Sequence, residues 1–226
     1  AKQSEQHSSP VITFRSDYRQ AIGGYTQYFF EPKGDPVSFD AAMLRFNTPN
    51  VYIANSQSIS LGLGVAPVWL KFSVENQTQQ PLAYRLAIET PWLDYVDAYA
   101  RQRNGLIQQF YGGDGRAFGR EPMPHRFYAH ESVFEPGITD IFVRIETSGP
   151  MAIPIRLSSV AKAIEADQAA AYQYGILYGI MGALAVYNLL LFSIIRQREY
   201  GLYSVYLIGF LLNSLSYTGH IHAMFP

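Results

Sequence analysis

The sequence predicts an antiparallel jelly-roll β-sandwich followed by a transmembrane α-helical hairpin. Three observations carry this: a charge partition along the chain, an alternating middle section punctuated by turns, and two long uncharged runs near the end. Of the seventeen Lys and Arg and eighteen Asp and Glu among 226 residues, only Arg196, Arg198 and Glu199 lie beyond residue 167. A soluble domain does not leave 59 residues with three charges gathered at one point. The 48% hydrophobic fraction and 15% charged fraction are ordinary only as averages of two unlike halves.

Residues 1–20 read as a flexible polar lead, left where a signal peptide would be removed. Residues 21–160 form the predicted outward-facing sandwich. Within it Ser38–Arg45 is the one short helical pattern, with Ser38 as N-cap. From Val51 to Ser158, short alternating runs are broken by Gly, Pro and Asn about every ten residues, as in a sandwich. Period-two phasing puts Val68, Leu70, Phe72 and Val74 on one face, and Trp69, Lys71 and Ser73 on the other. Tyr84, Leu86 and Ile88 oppose Arg85 and Glu89; Val96 and Ala98 oppose Tyr95, Asp97 and Tyr99; Ile141, Val143 and Ile145 oppose Phe142, Arg144 and Glu146. Gly112-Gly113-Asp114-Gly115 is a turn signal, and Pro150–Leu157 a last strand.

Residues 161–171 connect to the first predicted span, 172–195. The uncharged run Gln168–Ile195 is 28 residues long, and about 20 suffice to cross a hydrocarbon layer of roughly 30 Å. Residues 196–199 make a charged turn, 200–219 a second span, and 220–226 the start of an outward loop. Arg196 and Arg198 place the turn in the cytoplasm by the positive-inside rule, so the sandwich faces outward. Gly175, Gly179 and Ala183 form a small-residue stripe suited to close helix packing, within one chain's bundle or between two copies of a homodimer. Asn188, deep in the first span, is expected to act as a polar link between helices.

The same residues exclude several functions. With no Cys there is no disulfide scaffold, thiolate nucleophile or zinc knuckle. A formal net charge of -1 lacks the basic surface a nucleic acid needs. Asp94 and Asp97 are near in sequence but fall on opposite strand faces, which does not suit the paired carboxylates of a glycosidase, and neither a G-x-S-x-G elbow nor a P-loop occurs. His125 and His130, five apart, would point to opposite strand faces, and His220-x-His222 lacks nearby carboxylates or Cys, so neither pair has the pattern of a metal site. No catalytic residue, metal or cofactor is therefore expected within this chain.

Small-ligand capture has more to work with. Trp69, Tyr95 and Tyr99 offer flat apolar surfaces, while Lys71, Arg85, Asp97, Arg120 and Arg144 offer charge on the outward strand faces. Such a set fits a sugar, or a carboxylate held by paired Arg hydrogen bonds. The alternative role for the same aromatic face is docking of another envelope protein or a second copy, without a small ligand.

Several segments in order resemble the bacterial seven-transmembrane receptors with diverse intracellular signalling modules, specifically their type-2 extracellular domain. They are Val68-Trp-Leu-Lys-Phe-Ser-Val-Glu-Asn76, Trp92-Leu-Asp-Tyr-Val-Asp-Ala-Tyr99, the Gly112-Gly-Asp turn, Arg120 with His125-Arg126, Ile141-Phe-Val-Arg144 and Met151–Leu157. Gly175-Ile-Leu-Tyr-Gly-Ile, Leu184–Phe192 and Arg198–Tyr203 follow in the membrane half. The resemblance implies a periplasmic, carbohydrate-binding-module-like jelly roll on an inner-membrane receptor. It further implies more helices beyond this chain, and a cytoplasmic output such as a diguanylate cyclase or the histidine kinase of a two-component system.

Overall fold

A computed structural model of the chain describes residues 11–14, 19–116 and 127–218. The chain divides into two compact units, residues 1–162 and 163–226.

In chain order the first unit contains β1 (Ile12–Thr13), β2 (Arg19–Ala21), β3 (Gln27–Phe30), α1 (Phe39–Arg45), β4 (Tyr52–Ile53), β5 (Ile59–Gly62), β6 (Val68–Asn76) and β7 (Leu82–Ile88). It continues with β8 (Tyr95–Arg101), β9 (Ile107–Gly112), β10 (Tyr128–Phe134), β11 (Gly137–Glu146), β12 (Met151–Ile153) and β13 (Ile155–Ser159). One sheet runs β4-β3-β6-β11-β8-β9, with β1 added in parallel to β6; the second runs β10-β7-β13-β2; β12 and β5 form a small third pair. Apart from β1, the pairings are antiparallel.

Alternation decides which side chains meet between the sheets. Val68, Leu70, Phe72 and Val74 of β6, with Ile141, Val143 and Ile145 of β11, pack against Tyr84, Leu86 and Ile88 of β7 and Ile155 and Leu157 of β13 in one core. The predicted phasing of these strands is what the structure shows. At roughly 25 cal/mol per Å2 of apolar surface removed from water, such fully buried side chains each contribute about 1.5–3 kcal/mol. Helix α1 also forms where expected: the Ser38 Oγ accepts a hydrogen bond from the Ala41 backbone N–H at 3.3 Å.

The sandwich begins earlier than the sequence suggests. Part of the expected lead is structured, because Ile12 and Phe14 are buried and Phe14 stacks on Tyr84 with ring centroids 3.9 Å apart. Two apolar side chains two residues apart are enough to seat a short strand beside β6, a signal too short for periodicity to reveal.

The second unit holds most of α2 (Val160–Ile195) and all of α3 (Arg198–Tyr217). Helix α2, 36 residues long, is long and apolar enough to cross a membrane. It leaves Ile176, Leu177, Ile180, Val186 and Leu190 exposed, which suits a lipid environment and not water. Helix α3 has the length of a span, 20 residues, but Tyr200, Tyr203, Tyr206, Asn213 and three serines make it less apolar. A left-handed residue, Arg196 (φ 63°), ends α2 and turns the chain.

Besides Ala163 near its start, α2 buries Met181, Ala185 and Asn188, and α3 buries Ser204 and Leu207, among the described residues. Asn188 does not serve as the predicted link. Its short amide folds back to donate to the Leu184 carbonyl of its own helix at 2.8 Å. The bond between helices comes instead from the Ser204 hydroxyl, which donates to the Ala185 carbonyl at 2.8 Å. At about 100° per residue, Ala183 and Gly179 lie roughly 160° and 120° around α2 from Ala185, and Gly175 roughly 80°. A methyl group added at Gly175 or Gly179 would meet nothing within 4 Å.

Candidate functional site

The outer face of the larger sheet carries one transverse row fixed by register. Phe29 of β3 pairs with Trp69 of β6, Trp69 with Arg144 of β11, Arg144 with Asp97 of β8, and Asp97 with Tyr111 of β9. The neighbouring row is Gln27, Lys71, Phe142, Tyr99 and Gln109. Three separate strands, β6, β8 and β11, thus place Trp69, Lys71, Asp97, Tyr99 and Arg144 on one face, and Tyr95 lies beside them opposite Glu146.

That face is not uniformly open. Helix α1 and its flanks cover the β3–β6 side, where Phe29, Ala42, Phe46, Trp69 and Phe142 form a second core with Phe39 and Tyr99 at its border. Trp69 is 1% exposed and is therefore not the solvent-facing platform the sequence suggested. Its indole Nε1–H donates to Glu31 at 2.8 Å, and Arg144 grips the same carboxylate with Nε and Nη2 at 2.8 and 2.9 Å. Arg144 also bridges to Glu146 at 2.9 Å. Burial pushes the Glu31 carboxyl up, but hydrogen bonds from Arg144 and Trp69, the Arg144 charge and the Val37 N–H outweigh it, so the group sits below the ordinary carboxylate range. Arg144 is held above its ordinary value, chiefly by the hydrogen bonds to Glu31. Trp69 and Arg144 are thus structural anchors, committed to a buried carboxylate that sequence reasoning did not single out.

The β8–β9 side is open. Tyr95 and Tyr111 are 39% and 38% exposed, and the Arg116 guanidinium lies over both rings, 5.6 and 5.0 Å from their centroids. Arg116 pairs with Asp97, and its buried Nε has no hydrogen-bond partner among the described residues. Burial raises the Asp97 pKa, the charges of Arg116 and Arg144 oppose the shift, and Glu146 adds to it. The turn that presents Arg116 zips onto β8's approach: Asp114 and Gly115 donate backbone N–H to the Leu93 and Asp94 carbonyls, each at 2.9 Å. Gly113 (φ 111°) lies against the Asp94 carbonyl, where a side chain would clash. A flat apolar wall, a cation with a spare donor and a half-buried carboxylate can together hold a polar ring or a carboxylate.

The remaining candidates separate. Arg85 lies on β7 of the other sheet, 6% exposed, and pairs with Glu131 at 2.9 Å, so it belongs to a different face. Glu89, just past β7, pairs with Arg156 at 2.8 Å. Lys71 extends over the Phe142 ring at 5.5 Å. Arg120, with His125 and Arg126, lies outside the described residues. Arg116, Tyr111 and Glu146 were missed as candidates. The Ile107, Gln109, Tyr111 alternation could have flagged Tyr111, whereas nothing local marks an Arg just past a glycine-rich turn.

A β-sandwich that continues in sequence into a helix long and apolar enough to cross a membrane has the layout of a membrane protein with an N-terminal domain outside the bilayer. Comparison with known families agrees. A profile described as 7TMR-DISM extracellular 2 matches residues 23–159, and one described as 7TM diverse intracellular signalling matches residues 170–226. The chain belongs to the 7TMR-DISM family and is a membrane protein with an N-terminal extracellular domain. No curated protein matches the sequence. Among solved structures it is similar to a Podospora anserina GH26-CBM35 β-(1,4)-mannanase, with 12% identity over 45% of this chain and 24% of that one and a TM-score of 0.25. It is also similar to a carbohydrate-binding module of the β-sandwich superfamily (9% identity, 45% and 50% covered, TM-score 0.23). A third is a Phanerochaete chrysosporium exo-β-1,3-galactanase (11%, 50% and 31%, 0.25). The chain covers less than two thirds of each of these proteins.

Proposed function

We propose that this chain is the sensory N-terminal part of a bacterial inner-membrane receptor whose periplasmic sandwich binds a small carbohydrate-like or acidic ligand. Occupancy biases the packing of the membrane helices and thereby a cytoplasmic output, a diguanylate cyclase or a histidine kinase. The supporting observation is the Tyr95–Arg116–Tyr111 arrangement around half-buried Asp97, with a buried guanidinium nitrogen that lacks a partner among the described residues. The Arg116 guanidinium would attract the oxygen atoms of the ligand, and the two exposed rings would take its apolar face. Such a ligand shifts the receptor only by binding one of its states more tightly than the other.

The test is output of the full-length receptor against a panel of neutral sugars, uronates and amino acids. A responding ligand should lose its effect in Tyr111→Ala while the receptor still folds. A panel without response, alongside an output change on adding a partner protein, would overturn this reading. One observation favours that second reading: β9 ends the sheet and presents Leu106, Ile107 and Tyr111 at an unpaired edge among the described residues. Self-association through β9 would then give a homodimer with no small ligand.

A further inference from the structure

At the opposite end of the same sheet, between β3, β4 and the segment after α1, lies a cleft of about 540 Å3 lined by Phe29, Phe30, Arg45, Asn50, Val51 and Tyr52, with Pro49 at its rim. We propose that this cleft is a second small-molecule site, one that takes a ring bearing a carboxylate.

Four features lead there. The volume falls within the range of roughly 300–1,000 Å3 that small-ligand sites occupy. Strand β4 pairs only with Gln27 and Tyr28, so the β3 edge beside Phe29 and Phe30 stays open there and offers backbone hydrogen-bonding groups to an occupant. Tyr52 is 57% exposed, with its ring 5.2 Å from Tyr28 and 6.2 Å from Phe30. These rings form an aromatic corner that is costly to leave in water and apt for one face of a flat or pyranose ring. Arg45 supplies the charge. Its guanidinium lies 4.5 Å over the Phe29 ring, and among the described residues it has no carboxylate partner. An Arg held over an aromatic ring with its fork unpaired is pre-set to bind a carboxylate bidentately. Asn50 adds polar groups to the lining. An added peptide strand fits less well, because only two residues of open edge remain and Pro49 at the rim has no N–H to donate.

The site shares no residue with the Tyr95–Arg116–Tyr111 face and stands whether or not that face binds a ligand. The experiment is calorimetric titration of the whole chain in detergent micelles or nanodiscs. The probes are benzoate and D-glucuronate, each against its uncharged counterpart, benzamide and D-glucose. Benzoate reports an aromatic ring and glucuronate a sugar ring. At least one acid should bind with millimolar or tighter Kd, at least tenfold tighter than its neutral counterpart. Arg45→Gln should weaken it tenfold or more and Tyr52→Ala at least threefold, while Tyr111→Ala leaves it unchanged. Because Arg45 also covers Phe29, Tyr52→Ala, which alters an exposed ring, decides the matter if Arg45→Gln loosens the fold. No binding of either acid below 10 mM, equal binding of the neutral counterparts, or binding that follows Tyr111→Ala and ignores Tyr52→Ala would overturn the proposal.

Discussion

The two ends of one residue row have opposite fates. Phe29 and Trp69 lie under α1, and Glu31 accepts from both Trp69 and Arg144; at the far end of the same register Tyr111 lies open beside Arg116, with Asp97 half-buried next to it. Strand alternation supplies aromatic and charged residues to both halves, so chemistry alone does not distinguish them. What differs is the cover. The seven-residue α1 brings Ala42 and Phe46 over one half and turns a potential binding surface into a second core. Arg144, beside that cover, is fully paired by Glu31 and Glu146, whereas Arg116 pairs with Asp97 and leaves its Nε without a partner among the described residues. The difference separates residues that hold the domain together from residues free to meet a ligand.

The largest expected effect breaks the covered half. Glu31→Ala removes the acceptor shared by Trp69 and Arg144, leaving a buried indole N–H unpaired and a guanidinium with Glu146 alone. Breaking a buried pair by removing one partner costs about 3–5 kcal/mol, which thermal unfolding followed by tryptophan fluorescence should register as a large drop in Tm. Glu31→Gln should cost less, because its amide oxygen still accepts.

The next effect is acid sensitivity beneath the open half. His130 is buried, stacks on Phe110 of β9 and shares a 2.6 Å hydrogen bond with Ser132. Burial pushes its pKa down to about 4 from 6.5. The folded value lies below the unfolded one, so its contribution is fully present above pH 6.5 and is lost as pH falls towards 4. A shift of that size corresponds to roughly 3 kcal/mol. Tm measured from pH 7 to pH 4 should fall, and His130→Gln should flatten the slope between 6.5 and 4. An unchanged slope would assign the acid sensitivity to the carboxylates. Glu31, whose pKa is lowered, adds its own loss only as pH falls below its ordinary value.

On the open half, Tyr111→Ala should shift stability by only about 0.5 kcal/mol, as exposed substitutions do, yet abolish the response to any ligand held there. If it unfolded the domain instead, the contrast between the two halves would fail. The smallest effect belongs to the hairpin. Arg196→Gly at the left-handed end of α2 should leave the helices intact and stabilise them by at most about 1 kcal/mol, visible as a small rise in the helical melting temperature.

Much of the fold was legible because its signals are local. Ser38 caps α1 through its own hydroxyl, and the alternation Val68, Leu70, Phe72, Val74 needs only a sheet partner to become core. The site was half legible. Asp97, Tyr95 and Tyr99 were placed on the right face by period two, but Trp69 was mistaken for a platform. Alternation states which side a residue takes and not what arrives to cover it. Arg85 was grouped with them because both sheets have outward faces that a linear pattern cannot tell apart. Arg116 lies beyond any strand and acquires its place only when Asp114 and Gly115 bond to Leu93 and Asp94.

The sequence by itself determined the sandwich, the membrane-crossing helix and the facing of most strands, because burial and lipid exposure are written in the order of apolar and charged residues. The tertiary structure alone decided that Glu31 joins Trp69 to Arg144, residues 38 and 113 positions distant from it. It also decided that Arg116 lies between two tyrosines, and that a cleft stays open beside Arg45. Those are meetings of distant segments, set by register and packing, and no local pattern of side chains encodes them.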